Sequence, residues 1–278
     1  MADIRVTVLV ENNVDRRGLR AEHGLSFWIE TNDKKILFDT GQSDLLLHNA
    51  KALGIDISQT QAIVLSHGHY DHVGGLFGVL DLAPEARVYL HPTALEPKFS
   101  FSSGAPREAG VTSALRDRLL GQIRDGKGTY TSGGTSVFPG VTVTGQIPRI
   151  SGFENTGGAF FLDAKRDKPD GLLDDQALFL ESDKGLIVVF GCAHSGVVNT
   201  LERIRQLKPD AKVHAALGGM HLVNADQTRI EKTIEAFRRF DIKRIGPAHC
   251  TGWPATKRFW DAFGNRCFPC CVGTRMSF

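Results

Sequence analysis

The sequence predicts a layered α/β fold, and three observations carry that prediction. In the second half of the chain, apolar runs alternate with amphipathic stretches: GLIVVFGCAHSG then VVNTLERIRQL, KVHAALGGMHL then TRIEKTIEAFRRF, IKRIGPAHCTG then ATKRFWDAF. Each unit reads as strand, loop, helix. In the first half, strands ending in turns lead to AIVLSH, a short and almost wholly apolar run that suits a strand buried on both faces. Finally, 278 residues at 41% hydrophobic are enough to close one large core or two small ones.

The elements follow in order. MADIRVTVLVENN carries Asp3 and Arg5 inside an alternating apolar stretch, so it reads as a first strand and not as a signal peptide. SFWIETN and KKILFDTG are joined by Asn32 and Asp33 as a hairpin turn would join them. SDLLLHNAKALG is a helix, with Ser43 placed to cap it and Gly54 to stop it. Residues 93–139 are rich in Ser, Gly and Pro around one helical stretch, TSALRDRLLGQI, and read as an insertion or lid. Asp174 and Asp175 read as turn residues ahead of the strand ALFLES. The three strand-loop-helix units then place His194, His221 and His249 just past strand ends, where chemistry collects in layered α/β folds. No linker divides the chain, so residues 1–278 are expected to form a single domain.

Composition excludes several classes. Lys and Arg number 33 against 31 Asp and Glu, a net charge of +2, and no basic block stands out, so no nucleic-acid partner is expected. No apolar run approaches the roughly 20 residues that cross a bilayer, so no membrane partner is expected either. Five cysteines, an odd number with none before Cys192, do not resemble a disulfide framework and point to a reducing cytoplasm. Cys267, Cys270 and Cys271 read as buried thiols near a final strand, because one Cys-Phe-Pro-Cys pair is weak support for a zinc knuckle. The expected partner is a small-molecule substrate, and a homo-oligomer is compatible with the sequence.

LSHGHYDHVGGL, residues 65–76, concentrates three histidines and an aspartate between His67 and His72. His67 and His69, two apart in an extended segment, project to one side and can reach one cation as neutral imidazoles. Asp71 and His72 follow the turn toward Gly74 and Gly75 and can serve a second cation. Two metals about 3.5–4 Å apart can share a hydroxide and stabilise a leaving group. One loop cannot complete both shells, so further ligands must come from elsewhere in the chain.

The order AEHGLSFWIE, ILFDTG, LSHGHYDHVGGL, GCAHSGVVNTL, GGMHL, PAHCTG, VGTRMSF resembles the metallo-β-lactamase superfamily over nearly the whole chain apart from about residues 93–139. The resemblance is to a branch labelled metal-dependent hydrolases, which includes archaeal synthases that join a dihydropterin diphosphate to a ribosyl-aminobenzene phosphate. It implies an αββα sandwich of two mixed sheets flanked by helices, with one or two divalent metals at one edge, zinc first, with iron, manganese or nickel as alternatives. It carries over His67, His69, Asp71, His72 and His249 as ligands. His194 is expected to join them, although the sequence departs from the family here: Cys192 follows Gly191 where related hydrolases place a metal-bridging aspartate. Either His194 replaces the usual ligands, with Cys192 or Asp175 assisting, or the site is reduced and holds one metal. Asp39 of FDTG is expected to orient the 67–72 loop from behind.

The implied activity is hydrolysis of a small substrate, phosphorylated or not, by a metal-bound hydroxide oriented by Asp71, with His221 as proton donor or substrate contact. His23 in EHGLS is expected at the pocket mouth, and Arg149 in IPRISGFE is expected to pair with a phosphate, its equal alternative being to cap a surface turn. Two alternatives stand beside hydrolysis. One is a transferase that condenses the pterin diphosphate with an aryl-amine donor, and the other is a metal-binding sensor without turnover. A nuclease is disfavoured by the near-neutral charge.

Overall fold

The computed structural model describes residues 3–278. Two sheets lie face to face. The first is seven-stranded, in the spatial order Arg275–Ser277, Ile4–Val10, Ser26–Thr31, Lys34–Phe38, Ala62–Val64, Arg87–Leu90, Gly128–Tyr130. The second is six-stranded, in the order Arg244–Ala248, Val213–Gly219, Gly185–Phe190, Ala177–Ser182, Val141–Val143, Thr135–Phe138. Both are mixed. In the first, Lys34–Phe38 onward pair in parallel, and in the second the three strands of the strand-loop-helix units do.

Strand alternation produces three cores. Ala62 and Val64 point between the sheets, where they meet Phe27, Phe38, Leu178, Ile187 and Leu217. Ile63, one residue out of phase, points the other way into a layer with Leu46, Val79, Leu80, Leu115 and Leu119 from the helices Leu45–Ala52, Leu76–Leu82 and Ser113–Arg124. This explains why AIVLSH has no polar face. On the far side, Val188 and Phe190 pack with Leu201, Ile234, Phe237 and Phe259 from the helices Val197–Leu207, Gln227–Arg239 and Trp253–Phe263. Each such fully buried side chain contributes about 1.5–3 kcal/mol. The order of layers is helix, sheet, sheet, helix, as expected.

The predicted hairpin is present, with Asn32 at φ 53° between Ser26–Thr31 and Lys34–Phe38. The predicted first helix begins one residue later than its expected cap: Asp44 holds the cap position, while Ser43 Oγ still accepts from Leu45 N at 3.2 Å. Gly54 follows that helix at φ 72°.

Residues 93–139, expected as an insertion or lid, form regular elements for much of their length. Ser113–Arg124 buries Leu115 and Leu119 in the outer core, Gly128–Tyr130 is an edge strand of the first sheet, and Thr135–Phe138 is an edge of the second. The Ser, Gly and Pro bias marks the turns between these elements, not a loose insertion. What remains over the site is a small three-stranded sheet of Phe160–Phe161, Phe99–Ser100 and Arg107–Glu108. Among the described residues, no helix is long and apolar enough to cross a membrane.

Candidate metal centre

The C-terminal ends of the parallel strands bring the predicted donors to one edge of the sandwich. Ala62–Val64 delivers the loop from His67 to His72, Gly185–Phe190 delivers Cys192 and His194, Val213–Gly219 delivers His221, and Arg244–Ala248 delivers His249. The rings crowd together: His67 lies 4.6 Å from His69, 4.2 Å from His72 and 4.9 Å from His194, centroid to centroid, and His72 lies 5.1 Å from His249. Gly68 is required between the two leading histidines, since a Cβ there would sit 2.1 Å from Ala94 O.

Hydrogen bonds behind each ring fix which nitrogen faces inward. Asp39, fully buried, accepts from Ser66 N and Ser66 Oγ, both at 2.7 Å, and from His72 Nδ1 at 2.7 Å. Ser66 Oγ in turn takes His67 Nδ1 at 2.9 Å, His194 Nδ1 donates to Thr156 O at 2.9 Å, and His249 Nδ1 donates to Asn12 Oδ1 at 2.8 Å. Each of these four rings therefore turns Nε2 toward the centre. Asp71 Oδ2 lies 3.3 Å from His249 Nε2, 3.8 Å from His72 Nε2 and 3.1 Å from His23 Nε2, with His23 half-exposed at the mouth.

These residues fit a divalent cation. Nε2 of His69, His194 and His249 are buried and have no hydrogen-bond partner, an unfavourable state that a cation would relieve. His67 Nε2 and His69 Nδ1 face each other at 2.9 Å. By spacing, His67, His69 and His194 gather as one set and Asp71, His72 and His249 as another, with His67 and His72 in contact where the two meet.

Burial dominates the electrostatics of the first set. It holds His67 and His194 well below the usual imidazole range and takes His69 down to about 3. All three are neutral donors at pH 7. At His72 burial also opposes the charge, but Asp39 and Asp71 outweigh it and push the ring up to about 9. At Asp71 burial favours the neutral acid, yet His72, His23 and His249 hold the carboxyl well below its ordinary range.

One pH effect follows in the metal-free chain. Three imidazoles with lowered folded values bind fewer protons than the unfolded chain below about pH 6.5, so stability should fall as pH drops from 6.5 to 5. Asp175, raised by burial to about 6, opposes this, as do the raised His72, His23 and His221, but those imidazoles are protonated in both states well below pH 6.5, so the three lowered ones set the direction between pH 6 and 5. Thermal melts with a chelator at pH 5, 6 and 7 should show a falling Tm. A flat profile would contradict neutral, buried imidazoles.

The other expected residues divide. His221 reaches the site: its ring is 4.2 Å from His194, its Nδ1 is buried without a partner, and Gly157 packs so closely that a Cβ would meet His221 Cδ2 at 1.9 Å. Arg149 does not offer a free fork. Its Nη1 and Nη2 donate to His194 O at 2.8 Å and Gly171 O at 2.7 Å, so it ties loops together, the capping alternative. Asp174 is engaged with Gly68 N at 2.7 Å and Lys98 Nζ at 3.0 Å, and Asp175 accepts from Ser195 N at 2.7 Å. Cys267 and Cys270 are buried and free, as expected, whereas Cys271 is free but only partly buried.

Sequence reasoning missed Glu11, Asn12, Thr156, Phe160 and Arg229. Glu11 Oε1 accepts from His249 N at 2.6 Å, and Phe160 covers His69 at 4.9 Å between centroids. Glu11 and Asn12 end an apolar strand at the same edge as the histidines, a signal the sequence does contain. Arg229 is buried, donates from Nη1 to Asn155 Oδ1 at 2.7 Å, and leaves Nε and Nη2 unpartnered. It lines a cavity of about 440 Å³ with Asn155, Thr156 and Gly157, the segment that also touches His194 and His221. Asp39, Ala193, His221 and His249 are all non-glycine residues at positive φ, between 44° and 58°. Such strain persists where the surroundings over-determine it, as at a functional site.

Comparison with known proteins agrees with this geometry. The profile of the Metallo-beta-lactamase superfamily matches residues 19–214. A 7,8-dihydropterin-6-methyl-4-(beta-D-ribofuranosyl)-aminobenzene-5'-phosphate synthase of Methanocaldococcus jannaschii is 33% identical over 254 residues, covering 87% of this chain and 85% of the relative. The crystal structure of Tm1679, described as a metal-dependent hydrolase of the beta-lactamase superfamily, superposes with a TM-score of 0.82 at 30% identity over 98% of both chains. The metallo-beta-lactamase fold protein YhfI from Bacillus subtilis shares the fold, with a TM-score of 0.59 at 11% identity over 99% of this chain and 100% of that one. This chain belongs to the metallo-β-lactamase superfamily, in the branch that also holds the archaeal synthase.

Proposed function

We propose that the chain is a metal-dependent hydrolase of a small, phosphorylated substrate. In this reading His67, His69, Asp71, His72, His194 and His249 hold one or two divalent cations, zinc first. The observation that carries it is the convergence of these donors with their ring nitrogens turned inward. A nitrogen-rich, borderline-soft donor set suits zinc, iron or nickel better than magnesium or calcium. A divalent ion held there supplies Lewis acidity and a deprotonated nucleophile near neutral pH.

The chain's own residues do the rest. Asp71, ionised and 3.3 Å from His249 Nε2 and 3.8 Å from His72 Nε2, orients the nucleophile. His221 delivers a proton to the leaving group. Burial works against its charge, but Cys250 beside it raises the ring above the usual imidazole value, and its Nδ1 is unpartnered. Phe160 over His69 keeps bulk water off the reacting face. The five free thiols suit a reducing, cytoplasmic setting.

The anion contact expected of Arg149 passes to Arg229, whose Nε and Nη2 are buried and unpartnered and which lines a cavity with Thr156 and Gly157, the residues that touch His194 and His221. Arg229→Gln should raise KM for a phosphorylated substrate about 10-fold or more, the loss of a charge-assisted contact of ~1.5–3 kcal/mol, with kcat changed less. The dephosphorylated analogue should show no such difference. Equal KM values for both substrates in wild type and variant would remove Arg229 from substrate binding.

The transferase reading has specific support. The archaeal relative is a synthase, and behind His249 lies a cavity of about 540 Å³ walled by Trp253, Trp260 and Phe268, suited to a flat ring. A single assay separates the two: metal-loaded protein with a dihydropterin methyl diphosphate, with and without the ribosyl-aminobenzene phosphate. A hydrolase releases pterin alcohol in both cases, whereas a synthase turns over only with the amine. No turnover here or across ester, thioester and phosphodiester substrates, despite stoichiometric metal, would leave the sensor.

A further inference from the structure

Cys192 is common to three of the four groups of potential ligands. Its Sγ lies within 4.8 Å of donor atoms of His67 and His194, of His72 and His249, and of His221 and Cys250. It stands 3.2 Å from His72 Nε2, the nitrogen that Asp39 turns inward. The side chain is buried, and the following residue, Ala193, is left-handed at φ 55°, a turn that returns the chain to the site at His194.

The two donor sets need something between them. Cations a few ångströms apart repel one another, and an anionic donor held in common lowers that repulsion. No carboxylate takes that position among the described residues. Asp71 Oδ2 groups with His23 and His249 at the mouth, both oxygens of Asp174 are held by Lys98 and Gly68 N, and Asp175 gives Oδ2 to Ser195 N while its unpartnered Oδ1 joins none of the groups that contain Cys192. Cys250 is placed behind His221, whose backbone N–H it accepts at 3.3 Å.

We infer that Cys192 is a thiolate ligand shared by two adjacent cations, with one Sγ–metal bond to each and the thiol proton released to solvent as those bonds form. This rests on the metal reading of the site and adds which residue joins its halves. Burial pushes the Cys192 thiol up in the metal-free chain, so proton release accompanies loading. A shared sulfur also biases the site toward zinc, cobalt, nickel and ferrous iron over magnesium, calcium and manganese.

The test is titration of the metal-depleted chain with Co(II), read by near-ultraviolet absorption and by metal content. The inference expects sulfur-to-cobalt charge-transfer absorption rising to two equivalents in wild type and in Cys250→Ser. The band should be lost in Cys192→Ser, and Cys192→Asp should bind two cobalt ions without it. X-ray absorption of the wild-type chain should find a sulfur neighbour at both cobalt ions, which decides the matter even if a variant fails to fold. The band surviving in Cys192→Ser, its absence from wild type with two cobalt ions bound, or saturation at one equivalent each overturns the inference. No cobalt binding by wild type overturns the metal reading as well, so the two failures are distinguishable without any activity measurement.

Discussion

His67→Ala should leave the chain without firmly held metal and with turnover at background. His67 sits at the centre of the ring cluster, within 4.9 Å of three other histidines by centroid, and its Nε2 faces His69 Nδ1. Alanine removes one inward nitrogen and also strands Ser66 Oγ, which links His67 to Asp39. The loss should exceed the ~10–100-fold that altering a group behind a ligand costs. The fold should survive, because the core layers on either side of the edge are intact and the lost ring is buried against other polar rings. Elemental analysis after dialysis, circular dichroism and steady-state rates check this. A folded variant retaining wild-type metal content and activity would sink the assignment of His67, and with it the first donor set.

The candidate site residues were legible in the sequence because they follow strand ends at fixed places, and a strand end is a local property. His67 to His72 follow an apolar run with no polar face, and His194, His221 and His249 each follow one of three similar runs. What was not legible depends on packing between distant segments. Arg149 looked like a phosphate contact, but its fork reaches carbonyls 45 and 22 residues away. Arg229 looked like one more charge on an amphipathic helix, yet it lies on the buried side facing Asn155, 74 residues back. The strands inside 93–139 were hidden for a related reason: Ser, Gly and Pro report turns, while only the neighbouring sheet edge shows that Gly128–Tyr130 and Thr135–Phe138 are strands.

Lys98→Met should cost about 3–5 kcal/mol of stability, the price of breaking a buried ion cluster from one side. At this chain length that corresponds to a Tm lower by roughly 10 °C. Lys98 is 2% exposed, and its Nζ stands 3.0 Å from both Asp170 Oδ2 and Asp174 Oδ1. Burial works against the ammonium, but the two carboxylates outweigh it and raise the group. Methionine fills a similar volume, so the cost is electrostatic: two carboxylates, both nearly inaccessible to water, lose the cation between them. Adding Asp170→Asn and Asp174→Asn should restore much of the loss, since neutral amides need no counter-charge and an amide oxygen can still accept from Leu172 N and Gly68 N. A Lys98→Met protein within about 1 kcal/mol of wild type in denaturant would show that water reaches the cluster. The consequence also extends to the metal site. Asp174 Oδ2 holds Gly68 N at 2.7 Å between the two leading histidines, so the variant that loses Lys98 should bind metal more weakly while the triple variant recovers. Recovery of stability without recovery of metal affinity would separate the cluster's structural role from its placement of His67 and His69.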